Sequence, residues 1–145
     1  MAVKKILVCY DSSECANNAL HMACEIALMD PEIHLDVITV APIPHLAQKQ
    51  AEELADVIAL IEEDGRQILS KAYDEIDPDL VDRTDVLLLS GPKPADEILK
   101  LTNQEDCDYD MLVLGSRGLT GMKEYLGSVS HKILNGCKIP VLVAR

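Results

Sequence analysis

Residues 111–130 read MLVLGSRGLTGMKEYLGSVS, and this stretch contains the pattern from which the fold can be predicted. Residues 111–114 are apolar at every position, which predicts a strand buried on both faces. Gly115 and Gly118 follow at once, and glycines let a backbone turn tightly and approach a ligand without a Cβ in the way. Gly127-Ser128 then begins a helical pattern, whose free backbone N–H groups form a seat for phosphate. A strand, a glycine loop and a helix start in this order predict an α/β fold with an anion-binding loop.

Apolar runs and helical periodicities alternate along the rest of the chain. Strands are expected at 6–10, 35–40, 86–89, 111–114 and 139–144. Helices are expected at about 16–27, 47–76, 95–101 and 128–134, the second with a break or kink at Gly65. The alternation predicts a single α/β domain over residues 1–145, with a five-stranded parallel sheet and helices on both faces. Pro140, near the start of the last strand, favours an edge position for that strand.

Three predicted strands bring candidate ligand-binding residues to one edge of the sheet. Ligands of parallel α/β sheets bind beyond the carboxyl ends of the strands, where the strand order reverses. The first, second and fourth strands lead to Asp11, Val40 and Gly115 there. The residues alone leave alternatives open, because Asp11 is also suited to capping the first helix and a glycine loop after a strand can be an ordinary turn. Arg117 is suited either to pairing with a phosphate or to lying in solvent.

The composition excludes several classes of function. With 13 basic and 25 acidic residues the formal charge is −12, and such a field repels nucleic acids and anionic membrane surfaces. Aromatic residues make up 3%, which is too few for stacking of single-stranded bases. The five cysteines include no CxxC pair, which argues against a disulfide or metal scaffold and favours a reducing compartment. We therefore expect a soluble, cytoplasmic protein with no nucleic-acid or membrane partner and no metal ligands of its own.

Several motifs, in the same order along the chain, resemble those of the universal stress protein family in its ATP-binding form. They are ILV at 6–8 with DSSE at 11–14, GPKPADEIL at 91–99, GSRGL at 115–119, LGSVS at 126–130 and PVLV at 140–143. The resemblance covers essentially the whole chain. It implies a Rossmann-like, adenine nucleotide α-hydrolase-like fold with strand order 3-2-1-4-5.

The resemblance also implies how ATP, or AMP or ADP in its place, is held. Asp11 accepts a hydrogen bond from the adenine or ribose side, and Val40 contacts the adenine through its backbone. Gly115 and Gly118 line the approach of the ribose and phosphates. The phosphates lie at the start of the last helix, with Mg²⁺ or Mn²⁺ as an accompanying ion. The residues implied at that start are Gly127, Ser128 and Val129, and Cys9, Tyr10, Ser116, Arg117 and Ser130 complete the predicted set.

Two positions depart from the pattern of the family. Eight residues, 119–126, separate Gly118 from Gly127, where the ATP-binding form usually has nine. One residue fewer shifts the phosphate seat by up to ~3.5 Å. Ser12 stands in the opening turn where glycine is common.

The expected function is regulatory rather than catalytic. The chain has no P-loop motif, no kinase catalytic loop and no base poised for phosphoryl transfer. The resemblance implies a stress-linked regulator with slow ATP hydrolysis at most. It also implies a homodimer in which the last strand pairs with its copy and buries Val141 and Val143. The alternative is a nucleotide-free dimeric interaction module of the same fold.

Overall fold

The computed structural model describes residues 2–118 and 126–145. Among these residues, no helix combines the length and the apolar character needed to cross a membrane. In chain order the elements are β1 (Lys5–Cys9), α1 (Glu14–Leu28), β2 (His34–Pro42), α2 (Gln48–Glu53), α3 (Ala55–Glu75), a 3-10 helix (Pro78–Arg83), β3 (Thr84–Gly91), α4 (Pro94–Asn103), β4 (Met111–Gly115), α5 (Ser128–Gly136) and β5 (Val141–Ala144).

The five strands form one parallel sheet in the order β3-β2-β1-β4-β5. The predicted fold class and strand order are therefore confirmed, as is the edge position of β5. The chain adds β2 and β3 on one side of β1 and then crosses to β4 and β5 on the other. Because the strand order reverses between β1 and β4, their carboxyl ends form the place where a ligand is expected.

Each face of the sheet has its own hydrophobic core. The first core lies between the sheet and α1 with α3, and the second between the sheet and α4 with α5. Ile6 and Val8 of β1 belong to the first core and Leu7 to the second, and all three side chains are fully buried. A central strand covered on both faces explains why the apolar run of β1 is continuous rather than alternating.

The region predicted as one long helix consists of two. Leu54 separates α2 from α3 and has non-helical dihedral angles, φ −103° and ψ 13°. α3 then runs unbroken through Gly65, so the break predicted at Gly65 is wrong. The glycine lies against β3 instead, because a Cβ at position 65 would lie 2.6 Å from Cδ1 of Leu88, and that side chain would have to move to admit it.

A 3-10 helix that the sequence pattern does not predict brings Arg83 to the end of α1. Arg83 Nη1 donates to the backbone oxygens of Ala27 (3.2 Å), Asp30 (2.9 Å) and Ile33 (2.8 Å). The last carbonyl groups of a helix lack intrahelical donors, and a cation at that end also interacts favourably with the helix dipole. Arg83 therefore fixes the end of α1 and the turn into β2.

Candidate functional site

The turn after β1 is built by three consecutive residues. Asp11 Oδ1 accepts a hydrogen bond from the Ser13 N–H (3.0 Å), and Ser13 Oγ accepts one from the Ala16 N–H (3.1 Å) as the N-cap of α1. Ser12 has a φ of 65°, in the left-handed region that glycine adopts without strain, which is why glycine suits this position. Of the two roles left open for Asp11, capping α1 belongs to Ser13 instead. The sequence offers Asp11, Ser12 and Ser13 as candidate caps, and the last of them before the helical pattern is the one used.

Gly115 ends β4 against the first turn of α1. A Cβ at this position would lie 2.7 Å from the carbonyl carbon of Cys15 and 2.9 Å from the backbone nitrogen of Ala16. Such distances are shorter than van der Waals contact. Only glycine lets the end of β4 come this close to α1, so Gly115 positions the loop that follows it.

Three hydrogen bonds hold the segment that follows β4. The Ser116 N–H donates to the Ala144 oxygen (2.7 Å) at the end of β5, and the Gly127 N–H donates to the Ser116 oxygen (2.7 Å). Ser130 is buried, and its hydroxyl donates to the Gly115 oxygen (2.6 Å). The loop is thereby tied to β5 and to the first turn of α5.

Asp11, the glycine loop and the start of α5 meet at one place. A Cβ on Gly118 would lie 2.7 Å from Asp11 Oδ2, the oxygen that the turn after β1 does not use. A Cβ on Gly127 would lie 3.4 Å from Arg117 Cα and 3.5 Å from the Gly118 nitrogen. The Ser13 hydroxyl lies 3.4 Å from the Arg117 oxygen. The carboxyl ends of β1 and β4 thus support a single cluster of polar groups and exposed backbone.

The first turn of α5 is suited to an anion. Gly127 is its N-cap and provides no side-chain cap, so backbone N–H groups at the helix start remain without an intrahelical acceptor. Ser128 is exposed and Val129 is half-buried, and no acidic side chain lies in the first turn. These groups and the positive end of the helix dipole favour a negatively charged group locally, although the whole chain carries a charge of −12.

Three predicted residues at the ends of β1 and β2 have side chains that pack in or against the hydrophobic cores. The Tyr10 side chain is 4% exposed, packs in the first core and donates from its hydroxyl to Asn17. The Cys9 side chain packs against the second core, and burial raises the pKa of its thiol. Val40 is half-buried against the same core near the end of β2. Tyr10 therefore has only its backbone available to this edge. The predicted effect of the short spacer concerns residues 119–125, which lie outside the described residues.

Comparison with known proteins places the chain among relatives of similar length. A model of the universal stress protein family matches residues 2–145. The universal stress protein YxiE of Bacillus subtilis is 28% identical over 149 residues, covering 97% of this chain and 98% of that protein.

Solved structures share the fold over the whole chain. The universal stress protein UspA of Lactobacillus plantarum has a TM-score of 0.72 at 22% identity, with 100% of both chains covered. A universal stress protein solved in complex with cAMP has a TM-score of 0.71 at 23% identity, covering 100% of this chain and 99% of that one. Since the family model spans nearly the whole sequence, the chain belongs to the universal stress protein family.

Proposed function

We propose that this protein binds an adenine nucleotide, with ATP as the principal ligand, and acts as a regulator in the stress response. The observation that carries the proposal is the meeting of Asp11, the Gly115–Gly118 loop and the start of α5 at the point where the strand order reverses. A universal stress protein of the same fold was solved in complex with cAMP, which supports an adenine nucleotide as the class of ligand.

Each part of the cluster suits a different part of the nucleotide. Asp11 Oδ2 is a carboxylate oxygen not used by its own turn, so it can accept a hydrogen bond from a ribose hydroxyl or the adenine amino group. The backbone beside Val40 offers the adenine a polar edge next to apolar packing. The N–H groups of Ser128 and Val129 hold the phosphates, on which Mg²⁺ or Mn²⁺ neutralises part of the charge.

Two predicted site residues position others in this proposal. Ser130 uses its hydroxyl to hold the Gly115 oxygen, and Gly115 is enclosed by α1. Neither contributes a side-chain group to the ligand. Their function is to keep the loop close to Asp11 and to the start of α5.

Asp11→Asn provides the direct test of the nucleotide site. The amide keeps an oxygen for the Ser13 N–H, so the turn is retained while the charge is lost. Asp30→Asn is the matched control. Asp30 accepts the Glu32 N–H (2.9 Å) in a turn of the same kind, but it lies before β2, at the amino end of the sheet. By calorimetry with ATP and Mg²⁺ we expect Asp11→Asn to weaken binding about tenfold, the effect of losing one charge-assisted hydrogen bond, and Asp30→Asn to leave it unchanged.

Measurements of nucleotide content and binding on the wild-type protein distinguish the proposal from the nucleotide-free alternative. We expect mass spectrometry of the purified protein, or calorimetry with ATP, AMP and cAMP, to detect one bound adenine nucleotide per chain. If none binds with or without Mg²⁺, the proposal is wrong and the nucleotide-free interaction module replaces it.

Gly118→Ala tests the site without touching the core. Among the described residues, the added Cβ contacts only the end of the Asp11 side chain, which can rotate away. We therefore expect the midpoint of thermal unfolding to stay within about 2 °C while nucleotide affinity falls, because the rotation moves Oδ2. A variant that binds ATP as tightly as wild type would remove Asp11 Oδ2 from the proposed contacts.

We also propose a homodimer that forms through the edge strand β5. Its residues are only half-buried, and an edge strand needs cover. Light scattering is expected to give a dimer for the wild type and a monomer for Val143→Glu. Leu87→Glu is the matched control at the opposite edge strand, where Leu87 is 41% exposed. A wild-type monomer at micromolar concentration, or dissociation by Leu87→Glu alone, would contradict the assignment to β5.

A further inference from the structure

Three metal-ligating side chains come together at the amino end of the sheet, opposite the nucleotide edge. Asp36 of β2 is paired in register with Asp85 of β3, so their side chains leave the sheet on the same face. His34 lies two residues before Asp36 and shares that face because strand side chains alternate with a period of two. Asp85 is distant from His34 and Asp36 along the chain, and the parallel register of β2 with β3 brings the three residues together.

The donor atoms have the spacing of a metal site. His34 Nε2 lies 3.0 Å from Asp85 Oδ2 and 3.5 Å from Asp36 Oδ1, and the three donor atoms lie within 4.8 Å of one another. Ligands bound tetrahedrally to Zn²⁺ at about 2.0–2.2 Å are separated by about 3.4 Å. A central ion can therefore be bound with small side-chain movements.

A second layer of contacts orients the buried ligand. Asp36 is 5% exposed, and its Oδ2 accepts a hydrogen bond from the Tyr109 hydroxyl (2.6 Å) and lies 3.7 Å from Lys5 Nζ. These contacts leave Oδ1 facing His34. Lys5 is shared with Asp108 at 3.1 Å, so its positive charge is divided between two carboxylates. Outer partners of this kind hold ligating groups in place at known metal sites.

We propose that His34, Asp36 and Asp85 form a binding site for one divalent transition-metal ion, with Zn²⁺ as the expected ion and water completing the coordination. The imidazole nitrogen favours zinc and its neighbours in the transition series over Mg²⁺ or Ca²⁺, which prefer ligand sets made only of oxygen. The bound ion joins β2 to the edge strand β3 and neutralises two carboxylates of an acidic protein. The site needs no nucleotide, and it departs from the expectation that the chain provides no metal ligands.

Calorimetry with Zn²⁺ on chelator-treated, nucleotide-free protein tests the site. We expect one Zn²⁺ per chain for the wild type and an affinity at least about tenfold weaker for His34→Gln. His21→Gln is the matched control, since His21 Nε2 contacts the single carboxylate of Glu75 at 2.7 Å. Equal affinities for the two variants would overturn the proposal. Absence of Zn²⁺ binding to the wild type would also overturn it, and His34 would then only form a hydrogen bond with Asp85.

A paramagnetic probe locates the ion and separates it from the five cysteines. The chain has four histidines, so their imidazole NMR signals can be assigned by single substitutions. Co²⁺ below one equivalent is expected to broaden the signals of His34 before those of His21, His45 and His131. Broadening of all four together, or binding that disappears when the thiols are alkylated, would overturn the assignment.

Asp85→Asn keeps the test independent of folding and of the nucleotide site. The Asp85 side chain is 66% exposed, so its amide variant is expected to fold normally. Zn²⁺ should raise the midpoint of thermal unfolding of the wild type but not that of Asp85→Asn. Nucleotide affinity should be the same in both, so a failure of the metal proposal and a failure of the proposed function give different results.

Discussion

Replacing Gly115 by alanine tests whether the glycine loop is held in place by its contact with α1. The new Cβ would lie 2.7 Å from the Cys15 carbonyl carbon and 2.9 Å from the Ala16 nitrogen, and both are backbone atoms inside a helix. Normal carbon contacts begin near ~3.5 Å, so α1 and β4 must separate by about 0.8 Å. Overpacking of a rigid core costs about 1–3 kcal/mol, and we expect Gly115→Ala to cost about 3 kcal/mol because no side chain can rotate to relieve it.

The expected change in unfolding temperature follows from the size of the protein. Unfolding entropy is about 2.1 cal/mol/K per residue, which for this chain amounts to about 0.3 kcal/mol per degree. A loss of about 3 kcal/mol therefore lowers the midpoint of unfolding by about 10 °C. Far-UV circular dichroism is a suitable signal because the protein has no tryptophan, and protein concentration must be held constant in case of association.

Gly127→Ala is the matched control within the same loop. Its Cβ would make contacts of 3.4–3.5 Å, and its φ of −64° and ψ of 158° suit alanine. We expect a stability change between zero and a gain of about 1 kcal/mol, because alanine reduces the freedom of the unfolded chain. If Gly115→Ala unfolds within about 2 °C of wild type, or if both variants are equally destabilised, the close contact of Gly115 with α1 does not hold the loop in place.

Three further predictions concern stability and reactivity. Arg83→Met should lower the free energy of unfolding in urea by about 2–3 kcal/mol, because one charged group donates to three backbone oxygens. An unchanged midpoint of unfolding would show that water replaces the guanidinium group. Ser12→Gly should stabilise the protein by about 0.5–1 kcal/mol, since relief of the left-handed backbone exceeds the added chain entropy, and a loss of stability would contradict this. Burial raises the pKa of the Cys9 thiol and so disfavours the reactive thiolate. After iodoacetamide treatment at pH ~8, peptide mass spectrometry should find Cys107 labelled at least about tenfold faster than Cys9. Equal labelling of the two thiols would show that Cys9 is accessible.

The strands and the position of the glycine loop can be predicted from the sequence, because each is specified by residues that are adjacent along the chain. A continuous apolar run such as that of β1 specifies a strand buried on both faces, and glycines directly after β4 specify a close approach of backbone. The break expected at Gly65 is absent from α3, and the glycine there lies against Leu88 on another element. A helix propensity rule contains no information about such a contact.

Other features depend on groups that are distant along the chain. Arg83 binds carbonyl groups that lie 50 to 56 residues earlier in the chain, and the sequence periodicity contains no information about these contacts. The cluster of His34, Asp36 and Asp85 requires the register of β2 with β3. By contrast, the opposite directions of the Cys9 and Tyr10 side chains could have been predicted, because neighbouring strand residues point to opposite faces.

The hydrogen bond from Ser116 to Ala144 has a practical consequence for handling the protein. The glycine loop is anchored one residue before Arg145, and the Arg145 oxygen itself accepts a hydrogen bond from the Asn18 side chain (2.6 Å) on α1. An affinity tag or fluorescent fusion attached after Arg145 therefore begins beside the anchor of the loop. For affinity measurements the tag is better placed before the first strand. Comparing the nucleotide affinity of the two tagged forms then shows how strongly a change at the end of β5 affects the glycine loop.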